Sequence, residues 1–260
     1  MSFSLRDRLA MRYMTHLTQT SEGRSHLLTQ LADAEDNDEG RLFDRVLARV
    51  DDPRFEKLVR RHQSDEKRHA ALFRECAART GVTPVPVPDR LQMLPRLDRA
   101  LGARFDQAIT SRIAVMQAYV VLQVLEERAV TQFPMFQAVF ARFDPKTAAV
   151  LASVAVDEAR HLKYCHAIAR HYAPSPAVHA ATLADYRQIE AQAFSENSRD
   201  NVRYTMEQGL VRVSPVEGAF WKGLTELTVR TGGNLTPYFG AAPERPRADR
   251  DVSEDLAMAA

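Results

Sequence analysis

Apolar residues recur along most of this chain at intervals of three and four, the spacing that lines one face of an α-helix. No stretch alternates apolar and polar residues long enough to suggest a strand. The pattern predicts an all-α fold. Leu5, Leu9, Tyr13 and Leu17 form a stripe behind the start signal Ser4-Leu5-Arg6-Asp7, so a short N-terminal helix is expected to about Thr18. A first long helix is expected from about Ser21 to Val50, with Leu28, Leu31, Leu42 and Val46 on one face. Asp52-Pro53 pairs an N-cap with a first-turn proline and opens a second helix to about Thr80, where Gly81 closes it. Pro84, Pro86, Pro88 and Pro95 make Val82 to Pro95 an extended linker. A third helix covers roughly Asp106 to Phe133, and Pro134 ends or kinks it. Asp144-Pro145 opens a fourth, to about Tyr172. Ser175-Pro176 opens a fifth, amphipathic through Val178, Leu183, Tyr186 and Ile189. Ser214-Pro215-Val216-Glu217 combines a capping box with a proline start, for a helix ending near Gly232-Gly233.

The first two long helices are joined by a short turn, as are the third and fourth. The long connection falls between the second and third. This is the connectivity of a four-helix bundle made of two antiparallel pairs with one crossover. The expected organisation is an N-terminal helix (1–20), a four-helix bundle (21–172), a helical extension packed on it (173–240) and a loose tail (241–260) rich in Pro, Arg, Asp and Ala.

Composition changes this picture little. Of 260 residues, 45% are hydrophobic and 27% charged, enough apolar material for a sizeable core. The net charge of +1 gives no overall attraction to nucleic acid or anionic membranes. Cys76 and Cys165 are far apart and form no CxxC pair, which fits a reducing compartment. No apolar run approaches a membrane span, and Met1 to Arg12 lacks the apolar run of a signal peptide, so a cytoplasmic location is expected.

The chemistry lies in two stretches that read almost alike, Asp65-Glu66-Lys67-Arg68-His69 and Asp157-Glu158-Ala159-Arg160-His161. On a helix, residues i and i+3 share a face, so each motif presents a carboxylate beside an imidazole. One such pair is common by chance. Each of these, however, has a further acid about 30 residues upstream, the distance at which an antiparallel neighbour returns to the same level. Glu35 plays that part for the first motif and Glu126 for the second. Glu35 sits in the middle of an apolar stripe, where a charge is costly unless paired or metal-bound. The sum is four carboxylates and two imidazoles from four helices. Carboxylates neutralise and bridge two divalent ions, and imidazoles add neutral nitrogen donors. Shifting Glu35 by the separation of the two motifs lands on Glu127 rather than Glu126. Both lie on apolar faces, and a one-residue difference in loop length restores Glu126. Asp65 and Asp157 each precede a ligand glutamate, and a metal-bound His usually donates its second ring N–H to a carboxylate. Asp65 is expected to reach His161, and Asp157 to reach His69.

Glu35, Asp65-Glu66-x-x-His69, Glu126 within Leu125-Glu126-Glu127-Arg128, and Asp157-Glu158-x-x-His161 together resemble the ferritin-like superfamily. The likeness is to its rubrerythrin, bacterioferritin and di-iron oxygenase side, and spans about Ser21 to Tyr172. It implies a centre of two iron ions (manganese or a mixed pair also suits the ligands) that reacts with O₂ or peroxide. The Leu-Glu-x-Arg context resembles the family's third-helix ligand and favours Glu126, leaving Glu127 behind the ligands or at the surface. His62, one turn before Glu66, matches a third imidazole used by some amine-oxidising members, although its position reads as a polar residue near the bundle end. Tyr119, two turns before Glu126, is a candidate redox-active phenol; the plainer reading is a core tyrosine with a hydrogen-bonded hydroxyl. Arg68 and Arg160 read as salt-bridge partners outside the site, Cys165 as a small buried residue, His166 as turned away from the ligand face, and Trp221 as a packing anchor.

The function expected from these features is a non-haem di-iron oxidoreductase or oxygenase acting on a small organic substrate. Its electrons would come from an external donor, since the chain has neither a rubredoxin-like CxxC pair nor a Gly-rich nucleotide fingerprint. A homodimer is compatible with this reading; nucleic-acid and membrane partners are not expected. The alternatives are a ferroxidase without an organic substrate, against which the extra C-terminal helices argue, and a non-catalytic helical partner-binding protein.

Overall fold

The computed structural model describes residues 3–36, 39–102 and 107–233. Among them every regular element is helical: α1 (Leu5–Thr18), α2 (Ser21–Asp36), α3 (Glu39–Leu47), α4 (Pro53–Ala78), a 3-10 turn (Asp89–Leu91), α5 (Met93–Ala100), α6 (Arg112–Phe140), α7 (Pro145–Tyr172), α8 (Pro176–Glu207) and α9 (Pro215–Arg230). The region from 241 onward, expected as a loose tail, lies outside the described residues. No described helix is long and apolar enough to cross a membrane.

The helix starts follow their caps. The side chains of Ser4, Asp52, Ser111, Asp144, Ser175 and Ser214 each accept a backbone N–H of the first turn, satisfying a donor that the helix itself cannot. The box at Ser214 is only half made: Ser214 accepts from the Glu217 N–H. The Glu217 carboxylate instead pairs with Arg12 (2.8 Å) and His16 (3.1 Å) of α1. Gly81 takes φ 74°, as a residue closing α4 should.

Three expectations for elements are corrected. The helix expected from Ser21 to Val50 is described as α2 and α3, residues 37 and 38 lying outside the described residues, and it ends at Leu47 rather than Val50. Leu42, Phe43 and Val46 of α3 are buried. The linker Val82–Pro95 is extended only in its first part. Its second part holds the 3-10 turn and the start of α5, with Pro95 in the first turn, where a missing N–H costs nothing. Leu91, Leu94 and Leu97 are buried there. The third long helix starts at Arg112 rather than Asp106 and runs through Pro134 to Phe140. A helix-interior proline costs about 3 kcal/mol, and burial of Phe133, Phe136, Val139 and Phe140 beyond and beside it outweighs that.

α2 packs on α4, α6 packs on α7, and α4 faces α7. The apolar core is split in two. One cluster joins Phe43, Phe55, Leu97, Tyr119 and Ile168; the other joins Leu28, Phe73, Phe133, Leu151 and Trp221. Between them α4, α6 and α7 carry a layer of buried polar side chains. The crossover is tied down at one carbonyl, Leu91 O, which accepts from Gln30 (2.8 Å), Asn197 (2.8 Å) and Asn201 (3.2 Å). Trp221 of α9 stacks edge-on against Tyr13 of α1, with ring centroids 5.4 Å apart.

Candidate metal centre

Helical periodicity turns His62, Glu66 and His69 of α4 inward together, and Glu158 and His161 of α7 meet them. Glu126 comes from α6 and Glu35 from α2. These residues form two groups, each with ligand atoms within 4.8 Å of one another: His62, Glu66, Glu126 and His161, and Glu35, Glu66, His69 and Glu158. All are buried except Glu35, whose side chain is 12% exposed. Either group could hold a metal ion.

Glu66 belongs to both. Its Oε1 lies 2.9 Å from His161 Nδ1 and 3.1 Å from His62 Nε2, and its Oε2 lies 3.9 Å from His69 Nδ1. Glu158 spans the groups in the same way, with Oε1 3.1 Å from His69 Nδ1 and Oε2 3.4 Å from His161 Nδ1. Glu126 Oε1 is 2.9 Å from His62 Nε2, and Glu35 Oε2 is 3.5 Å from His69 Nδ1. The residues fit a pair of ions. His69 Nδ1, His161 Nδ1 and Glu158 Oε1 are buried and close together, yet they are not aligned as hydrogen-bond partners. Buried donor atoms that converge in this way suit a cation between them.

The backs of two imidazoles face acids. His69 Nε2 lies 3.3 Å from Asp157 Oδ2, and His161 Nε2 lies 3.3 Å from Asp65 Oδ2. Each contact crosses between α4 and α7. Arg68 reaches Asp157 at 2.6 Å and Asp65 at 3.0 Å, while Arg160 reaches Asp65 at 2.8 Å and Asp157 at 2.5 Å. The two arginines thus anchor the acids that orient the rings.

These neighbours set the protonation states. Burial opposes charge on His69, but Glu158 and Glu35 outweigh it and push the imidazole up to about 10. His161 is also raised; burial works against it, and Asp65 and Glu158 prevail. Burial alone would raise Glu158, yet His161 and His69 hold it well below the carboxylate range. Asp65 and Asp157 are lowered by the histidines and arginines they face, against the pull of burial. His62 differs. Burial and the nearby His161 press it well below the ordinary imidazole value.

No family model, curated protein or solved structure matches the chain.

Three sequence expectations change here. His62 is not a polar residue near a bundle end; it is fully buried, and its ring stacks 4.0 Å from that of His161. The signal was present, because His62 lies four residues before Glu66 on the same face. Glu127 is not a surface acid. It is buried and turned toward α8, where Arg187 grips it through Nε (2.8 Å) and Nη2 (2.5 Å). Arg128 binds Glu190 of α8 in the same two-point fashion, at 2.8 Å twice. Of Leu125-Glu126-Glu127-Arg128, only Glu126 enters the site. Tyr119 lies in the apolar core, and its buried hydroxyl has no hydrogen-bond partner among the described residues. Burial and the neighbouring Cys165 and Tyr172 raise that phenol well above its usual range. A ring beside the cluster was missed: Tyr164, whose centroid is 6.2 Å from that of His161. Its three-residue spacing from His161 was the available clue. His166 turns away and packs against His179 of α8, with ring centroids 5.4 Å apart.

Proposed function

We propose that the protein is a non-haem di-iron oxidoreductase of the oxygenase or oxidase class, built on a ferritin-like bundle of α2, α4, α6 and α7. The observation that carries this reading is the shared Glu66, which joins two buried ligand groups into one dinuclear arrangement. Four carboxylates balance the four charges of two divalent ions, and few other occupants make four buried acids in one layer tolerable. Iron is the first choice, with manganese or a mixed pair also compatible with oxygen and imidazole donors. A bound pair would supply redox chemistry with O₂ or peroxide. The protein's own part is to orient the donors, exclude water between the two apolar clusters and keep a proton on Nε2 of His69 and His161, facing Asp157 and Asp65. The third imidazole, His62, is the feature that the family resemblance links to amine-oxidising members, so amines are the first small-molecule substrates to assay. Electrons come from an external donor. The site is tested by anaerobic Fe(II) titration with elemental analysis, followed by O₂ uptake. About two irons per chain and iron-dependent O₂ consumption are expected. Binding well below one metal per chain, or unchanged binding in Glu66→Ala, would refute it.

A further inference from the structure

α1 packs on α2 and α6, and one of its other faces lines a groove. Arg8, Met11, Arg12, Thr15 and His16 recur at intervals of three and four, so they share that face. Arg142, just past the end of α6, and Phe3, just before α1, complete the lining. The groove holds about 650 Å³, a size that suits one small molecule. Its lining is cationic although the chain is nearly neutral. Arg8 and Arg142 are exposed, and neither has an ion-pair partner among the described residues. Asp7, the acid within α1, is turned to Ser4, 3.0 Å from its N and 2.7 Å from its Oγ. The acid that reaches this face is Glu217 of α9, which holds Arg12 at 2.8 Å and His16 at 3.1 Å through a single oxygen, Oε1. Three guanidiniums against one carboxylate leave two positive charges with His16 neutral. Thr15 donates its hydroxyl to Met11 O at 2.7 Å, so the free donors of the groove are guanidinium N–H groups. Phe3 and Met11 add an apolar strip.

We propose that this groove binds a small organic phosphate ester. A phosphate monoester carries about two negative charges at neutral pH, and its acceptor oxygens match the forked donors of guanidinium groups. Arg8 and Arg142 bind the phosphate, Arg12 joins them by turning from Glu217, and the organic body of the ester lies on Phe3 and Met11. Glu217 competes with the ligand for Arg12 and His16. The carboxylate that ties α9 to α1 therefore also sets the affinity of the groove. Neither metal-ligand group draws on α1, so the proposal stands apart from the di-metal reading.

The probe is phenyl phosphate, equilibrated with the full chain by dialysis and read by its absorbance. Saturable uptake of about one molecule per chain, weakened by salt, is expected. Arg8→Ala/Arg142→Ala should weaken binding at least about tenfold, the usual worth of hydrogen bonds between charged groups. Glu217→Gln should tighten it several-fold, because the competing carboxylate is gone. A misfolded variant imitates a loss but not that gain. Phthalate, an aromatic dianion with carboxylates, and inorganic phosphate should each bind several-fold more weakly. No uptake at millimolar phenyl phosphate, equal affinity in the double variant, or weaker binding in Glu217→Gln would overturn the site. Phthalate binding as tightly would overturn the choice of phosphate, and inorganic phosphate binding as tightly would overturn the part given to Phe3 and Met11. Sedimentation with phosphatidic acid vesicles, without uptake of phenyl phosphate, would make a lipid headgroup the occupant and overturn the free ester.

Discussion

Glu126 and Glu127 are neighbours with opposite assignments, and the reason is geometric. Adjacent helical residues point about 100° apart, so only one can face the cluster. Glu126 meets His62, while Glu127 meets Arg187. Glu126→Gln is therefore expected to lower metal uptake with little loss of fold. Glu127→Gln should keep the metal but weaken the clasp of α8, by roughly 2 kcal/mol, because Arg187 is partly exposed and the pair is partly screened. Elemental analysis beside urea midpoints distinguishes them, and the reverse pattern would exchange their roles. Asp65→Asn and Asp157→Asn should each reduce metal affinity 10- to 100-fold, roughly the cost of losing a carboxylate behind a ligand ring; unchanged affinity in a competition assay against a chromophoric chelator would remove them from the site. Most of this was legible in the sequence, since the two D-E-x-R-H motifs carry their own helical phase. The choice at Glu126 was not, because it depends on a loop length and on what α8 offers. His62 was misplaced because its position along the helix was weighed above the face it shares with Glu66.

At the scale of elements, caps and prolines predicted the starts of α4, α7, α8 and α9, which are decided by local hydrogen bonding. What local signals could not decide was where tertiary burial overrides them. Pro134 stays inside α6 because phenylalanines on its far side have a core to enter, and the linker folds into α5 because its leucines do. Close packing between elements was likewise invisible in the sequence. Gly23 of α2 sits so near the end of α1 that an added Cβ would lie 1.8 Å from Leu17 O and 3.0 Å from Thr20 Oγ1. Backbone at that distance cannot be moved aside cheaply. Gly23→Ala is expected to cost roughly 2–3 kcal/mol despite its better helix propensity. Urea unfolding with equal slopes would show it, and a neutral or stabilising result would mean that α1 and α2 are joined more loosely than described.

For the molecule as a whole, the polar layer between two apolar clusters couples metal, protons and stability. Without metal, His69 is held at about 10, so it is an imidazolium at pH 7. As a metal ligand it must be neutral. Metal binding at pH 7 should thus release about one to two protons per chain from His69 and His161. Calorimetry in two buffers of different ionisation enthalpy reads that number, and a value near zero would contradict the protonation states given above. The sign of the stability change also follows. His69 has a folded value above its unfolded 6.5, so its contribution is fully present below pH 6.5 and is lost as pH rises toward 10. Asp65, Asp157 and Glu158 are lowered, so theirs is present above pH 4 to 5 and lost in acid. Metal-free protein should melt highest near pH 6.5, because His62, held below its ordinary value, takes stability away as pH falls beneath that point, and should melt progressively lower toward pH 10. Metal-bound protein has no such proton to lose from His69, and rising pH favours its formation. The gap between melting curves with and without chelator should therefore widen from pH 6 to pH 9. A constant gap would place the displaced protons elsewhere than on the ligand imidazoles.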